Sequence, residues 1–289
     1  MKRASLIFVV AIALLSALFF VSTGGAPSQG GSSMGAADTV SSAKNGTPDS
    51  GFVFRTVENR AFGVGERLVF DVNYGLITAG EAIMQIPALD SIAGRKCYRV
   101  EFAVNSLPSF SWVYKVEDRY LTFIDVQTMA PWRFEQHIRE GSYKRDFVAE
   151  FDQVRHLAIT PDSVFQVPEY VHDIMSAFYY ARTIDFSGFQ PGQGVTLYNF
   201  YKDKSHELFV RFLGRQELEV EAGTFRTIVV EPLVTEGGLF KSEGRVVVWL
   251  SDDERKIPVR VNTKVIIGSI DSELREYSGL AGSLNSRIE

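Results

Sequence analysis

Few residues in this 289-residue sequence are equipped to do chemistry. Histidine occurs at His137, His156, His172 and His206. No two of these have the i, i+4 spacing that would aim both rings at one metal from a helix. Cys97 stands alone, so neither an intramolecular disulfide nor a lipid-bearing cysteine at an N-terminal cleavage site is available. Its neighbours Tyr98 and Val100 mark it as a small buried hydrophobe rather than a reactive thiol. There is no Walker loop, no GxGxxG turn leading into a helix, and no serine elbow between strand and helix. The sequence therefore predicts no catalytic residue, no metal and no cofactor: a non-enzymatic protein.

Two carboxylate groups were weighed against that expectation. Asp252 and Asp253 are adjacent, and with Arg260 or Arg133 they could act as acid and base on an envelope glycan. Successive residues of a turn usually point apart, so the competing reading is a solvated turn with side-chain-to-backbone bonds. Glu117, Asp118 and Arg119, with Arg133 and Arg145, fit a cross-strand ladder of ion pairs.

Aromatic residues offer a different chemistry, that of binding. Trp112, Tyr114 and Tyr120 would share one strand face, with Trp132, Phe134, Tyr179, Tyr180 and Trp249 on elements nearby. The candidate ligand-binding set is Trp112, Tyr114, Tyr120, Trp132, Phe134 and Tyr179, with Arg133 and Arg260 at its polar edge. Such a cluster lines a pocket for an acyl chain, a sugar or a peptide, or else fills the core beneath a helix.

The elements that must position these residues follow a period of two. In Arg67 to Tyr74, Leu68, Phe70, Val72 and Tyr74 take one face. In Trp132 to Glu140, Trp132, Phe134 and Ile138 oppose Arg133, Glu135, His137 and Arg139. Similar β-branched and aromatic runs are 97–104, 112–124, 143–151, 195–201, 207–212, 225–230, 245–250 and 259–266. Ten or more strands at short spacing predict a mainly β domain: a curled antiparallel sheet, open barrel or sandwich. One stretch breaks the period. After Pro168, residues 169–184 place Val171, Ile174, Met175, Phe178 and Tyr179 at helical spacing, predicting one central α-helix.

The helix separates two weakly similar stretches. A shift of 127 residues superposes Phe62 on Phe189, Gly65 on Gly192, Tyr74 on Tyr201 and Arg99 on Arg226. It also superposes Asp125, Pro131, Arg133, Gly141 and Ser142 on Asp252, Pro258, Arg260, Gly268 and Ser269. Residues 62–151 and 189–278 are thus predicted to be two half-sheet repeats.

The start of the chain points to export. Lys2 and Arg3 precede the uncharged apolar run Ala4 to Val21, so residues 1–24 read as a signal peptide or, at the lower length limit for a span, an inner-membrane anchor. Residues 25–55 are a Gly/Ser/Ala-rich disordered tether, residues 56–280 the β-rich domain, and residues 281–289 a frayed tail. Without Lys2 and Arg3 the chain carries 28 basic and 35 acidic residues, a net charge of −7. That excludes nucleic acid and leaves a membrane as partner only through an uncleaved N-terminal segment.

Several motifs resemble one exported bacterial family. They are the run Tyr74 to Gly80, the turn Glu140 to Arg145, the helix core Asp173 to Arg182, Gly223-Thr224-Phe225, and Trp249 to Asp253 followed by Ile257-Pro258-Val259. The family is known as domain of unknown function 3108, and the likeness spans roughly residues 65–277. It implies a secreted or periplasmic protein and brings no activity or site residue with it. A fainter likeness to periplasmic lipoprotein carriers implies a curved sheet holding a helix on its concave side. The expectation is a periplasmic or cell-envelope protein binding a lipid, glycan or protein component, the alternatives being a glycan-active enzyme and a structural spacer with a packed core.

Overall fold

The computed structural model describes residues 51–112, 114–234, 245–264 and 268–288. In chain order these form β1 (Arg67–Tyr74), β2 (Ile77–Ile92), β3 (Arg95–Ser106), the four-residue helix α1 (Pro108–Ser111), β4 (Glu117–Asp125), β5 (Pro131–Glu140), β6 (Tyr143–Asp152), β7 (Leu157–Ile159) and β8 (Val164–Gln166). There follow α2 (Ile174–Ala181), β9 (Gly194–Tyr201), β10 (Lys204–Val220), β11 (Gly223–Val234), β12 (Val246–Ser251), β13 (Pro258–Lys264) and β14 (Ser269–Ser278). All fourteen strands belong to one antiparallel sheet in the order β8-β7-β6-β5-β4-β3-β2-β1-β14-β13-β12-β11-β10-β9. The mainly β class read from the sequence is the class observed.

Alternation decides which side is buried. In β1 the side chains of Leu68, Phe70 and Val72 are buried, while Asp71 on the other face accepts from Arg275 of β14. The sheet curls until its ends approach. Phe200 of β9 lies 6.0 Å from Phe151 of β6 and 5.5 Å from Phe165 of β8, strands at the far end of the sheet order. The loop before α2 bridges the gap: His172 N–H donates to Tyr198 O at 2.8 Å, and Phe200 N–H donates to His172 O at 2.8 Å. The helix occupies the concave side, against β4 and β9.

Strands β1–β6 and β9–β14 are two six-stranded meanders related by the 127-residue shift. The shift carries Arg67–Tyr74 onto Gly194–Tyr201, and the first residue of β5, Pro131, onto the first residue of β13, Pro258. Irregularities repeat as well: β2–β3 shifts register between Gln85 and Ala88, and β10–β11 between Phe212 and Gly214. Met129 (φ 57°) and Lys256 (φ 41°), also 127 apart, both adopt the left-handed conformation that side chains disfavour. The halves are joined where β1 pairs with β14.

Four expectations need correction. The helix is α2 alone, eight residues rather than 169–184, because Tyr170 takes a φ of 53° and His172 is engaged with β9. Asp173 then caps it, Oδ1 accepting from the N–H groups of Met175 (2.7 Å) and Ser176 (3.0 Å). No strand starts at Trp112, since Pro108 opens α1 and extended structure resumes at Glu117. The tail is not frayed: Arg226 N–H donates to Ser286 O, and Ile288 N–H to Thr224 O. Within the segment assigned to the tether, Phe52 and Phe54 meet edge to face at 5.0 Å, and Phe54 packs on Trp132. Residues 1–50, with the signal segment and most of the tether, lie outside the described residues.

Candidate binding cavity

Helix α2 has two apolar flanks. Ile174, Met175 and Tyr179 join the larger core, built mainly from the first half, where the Tyr179 ring meets Phe62 edge to face at 4.8 Å. Ala177 joins a second core built from β9–β13. Both ends of the helix are tied. At its start, Thr122 Oγ1 of β4 donates to Asp173 Oδ2 at 2.7 Å. At its end, Arg182 makes a two-pronged pair with Glu66, both contacts 2.7 Å and both side chains fully buried, and donates further to Ala61 O and Arg255 O.

Between α2 and the second half lies a cavity of about 80 Å³. Its helical wall is Ala177, Phe178 and Ala181, and its facing wall is Leu208, Val210, Val230, Val248 and Leu250. Met84 and Phe102 close it from the first half. The space exists because Ala177 and Ala181, one turn apart on the helix, leave room opposite the aliphatic strands. Its lining side chains are all apolar and offer water few partners, and engineered apolar cavities of about 150 Å³ take up benzene. The volume suits a few methylene groups rather than a whole drug-sized ligand of roughly 300 Å³ or more.

Residues 69–275, from β1 to β14, match the family described as protein of unknown function, DUF3108. The chain belongs to this family. No curated protein matches it. Among solved structures, the DUF3108 chain is similar to a beta-barrel-like protein of domain of unknown function DUF1849 from Brucella abortus, with 10% identity, 78% of this chain and 99% of that one covered, and a TM-score of 0.48. It is similar to a protein described as a lipoprotein from Parabacteroides distasonis (9% identity, coverage 78% and 99%, TM-score 0.35). It is also similar to one described as an exported protein with a YmcC-like fold from Bacteroides fragilis (11% identity, coverage 78% and 100%, TM-score 0.33).

The DUF3108 fold disperses the aromatic set read from the sequence. Tyr120, Phe134 and Tyr179 are buried in the first core, with Tyr114 partly buried beside them. Trp112 is 83% exposed at the end of α1. Trp132 is on the convex side with Cys97, Phe123 and Phe54, because the β4–β5 register shifts between Phe123 and Ile124 and turns it away from Phe134. Arg133 pairs with Glu135 and Glu150. Arg260 pairs with Asp271 and Glu273 and lies over the Trp249 ring. None of the eight lines the cavity. Its lining was missed because it is made of ordinary aliphatic strand positions, which carry no signal beyond burial.

The titratable groups are engaged structurally. Asp252 accepts from Arg215 at 3.0 Å, while Asp253 accepts from the N–H groups of Arg255 and Ser286, so the pair diverges as the turn reading requires. Cys97 is buried, which pushes its thiol up to about 12. Burial pushes His172 down to about 3, leaving it neutral. Asp118 and Glu140 are both buried, and burial together with the neighbouring Asp118 carboxyl pushes Glu140 up to about 8, so the pair holds one proton. Among the described residues no group of three or more potential metal ligands occurs, and no helix is long and apolar enough to cross a membrane.

Proposed function

We propose that the protein is an exported, non-enzymatic binding protein of the cell envelope, whose cavity beside α2 takes the aliphatic end of an amphipathic envelope component. The observation carrying this reading is the wall of apolar side chains shared by α2 and β10–β12. The charged, apolar, then Gly/Ser-rich order of residues 1–50 supports export. Supporting the absence of catalysis, Asp252, Asp253, Arg133 and Arg260 are each engaged by other partners.

The modest cavity volume favours a second reading, a structural spacer whose packing is merely imperfect at this point. Native mass spectrometry of protein purified from its own envelope separates the two. The binding reading expects a copurifying aliphatic molecule in the wild type and its loss in Ala177→Leu, with the circular dichroism spectrum unchanged. A bare wild-type mass, with Ala177→Leu changing only thermal stability, would establish the spacer.

A further inference from the structure

The connections at the two ends of the sheet differ in character. Strand registers place the β1–β2 turn, the α1 segment between β3 and β4, the β5–β6 turn, the β9–β10 turn and the β13–β14 turn at one end. Among the described residues this end carries four exposed large hydrophobics: Leu76 at 105% exposure, Trp112 at 83%, Ile77 at 61% and Tyr143 at 44%. Leu76 occupies a two-residue turn after Gly75, a place usually given to a polar residue or glycine. Leu107 N–H donates to Ala79 O at 2.9 Å, which ties the α1 segment bearing Trp112 to the strand that starts at Ile77. Large side chains held outward at separate tips serve no core.

Charge adds to the character of this end. Around these tips stand Lys115, Lys144, Arg145, Lys202, Lys204 and Lys264. Acidic residues stand among them, Asp203 between Lys202 and Lys204 and Glu117 paired with Lys115, while Asp146 is paired with Arg139 and His137 and Asp271 with Arg260, so cations remain in excess. The opposite end mixes both signs, Glu219, Glu221 and Asp252 to Glu254 standing with Arg95, Lys96, Arg255 and Lys256. The net negative charge of the chain therefore says little about the rim, which presents apolar tips among cations. That combination fits an anionic phospholipid surface, where aromatic and aliphatic tips enter the interface and lysines meet the headgroups. A protein partner would demand one continuous complementary face, whereas these tips are discrete.

We propose that this rim docks on an anionic lipid bilayer through Leu76, Ile77 and Trp112. The inference does not require the cavity to bind anything, although Leu208, at the end of β10 nearest the rim, belongs to the cavity wall. It is distinct from anchoring by the N-terminal segment, because the chain enters the fold at the other end, where Val57 N–H donates to Gln127 O in the β4–β5 connection.

The test mixes the full chain with vesicles of phosphatidylethanolamine and phosphatidylglycerol whose acyl chains carry bromine, which quenches tryptophan at short range. Trp132 is buried and Trp249 half-buried, so Trp112 is the emitter that would reach the chains. Quenching of the wild type is expected, most of it lost in Trp112→Phe. Leu76→Ser/Ile77→Ser should weaken vesicle affinity about tenfold, while Val164→Ser, an exposed apolar residue on edge strand β8, leaves it unchanged. Sedimentation with vesicles without quenching of Trp112 would assign the attachment to the N-terminal segment and overturn the proposal. So would an unchanged affinity in the double variant, or capture of a protein by the tips with no vesicle binding.

Discussion

Phe70 and Phe134 line the first half of the sheet, and at the positions displaced by 127 residues stand Leu197 and Val261. The backbone around both pairs repeats, down to the register shifts and the left-handed turn residues. What differs is the filling. Aromatic rings close the first half, whereas shorter aliphatic chains on the same kind of ladder leave space beside Ala177 and Ala181. The comparison teaches that a duplicated frame fixes where strands run, and side-chain volume decides which half can accept a guest.

The sharpest asymmetry is the attachment of the helix. Glu66, at the entrance to β1, holds Arg182, while the corresponding position before β9 is Gln193, which bonds locally to Gln190. Arg182→Met leaves Glu66 charged and buried and is expected to cost about 3–5 kcal/mol in urea unfolding. Gln193→Ala is expected to cost less than about 0.5 kcal/mol. Similar losses in the two variants would mean that the helix is held equally by both halves.

A smaller contrast lies in the matching turns. Asp125 accepts from Arg95 (2.7 Å), from Trp132 Nε1 (2.9 Å) and from the N–H groups of Gln127 and Thr128, bonds that hold its carboxyl below the ordinary range although burial opposes them. Asp253 makes the same kind of turn bonds without an arginine partner among its described bonds. Asp125→Ala is expected to cost about 2–3 kcal/mol and Asp253→Ala about 1–2 kcal/mol, both measured by denaturant midpoint at constant slope. Equal costs would reduce the role of Arg95 and Trp132 to packing.

A third contrast concerns protons. Asp118 and Glu140 share one in the first half, and the position matching Asp118 in the second half is Arg245. Glu140 stays protonated in the fold up to about 8 but ionises near 4.5 when unfolded, so its contribution to stability is lost as pH rises through that window. His172 acts oppositely: folded it resists protonation until about 3, so its term is lost as pH falls below about 6.5. The carboxyl effect should therefore stand clear between pH 6.5 and 8, with stability falling by up to about 2 kcal/mol. Thermal melts across that range should show the decline in the wild type and its absence in Glu140→Gln. A decline persisting in the variant would place the proton elsewhere.

Much of the frame was legible in the residues. The alternation of Arg67 to Tyr74 gave β1 its bounds, and nine scattered identities marked a repeat that the strand boundaries follow closely. Other strands left a fainter trace. β2 contains Gly80 and Pro87, and β14 places Ser272 at a buried position, so neither shows a clean apolar rhythm. The site was largely illegible for physical reasons. Trp132 is turned by a bulge that nothing in its neighbours announces, and Glu66 meets Arg182 across 116 residues. The alanines that make the cavity read simply as good helix formers.

The β1–β14 seam has a consequence for the newly made chain. β1 lies among the first folded residues to emerge during synthesis, yet one of its neighbours is the last strand. Through most of translation one side of β1 offers unpaired amides and carbonyls to any passing strand. Strand β14 acts as a clasp, and premature termination anywhere before Ser269 leaves a sheet open at its centre rather than shortened at its rim.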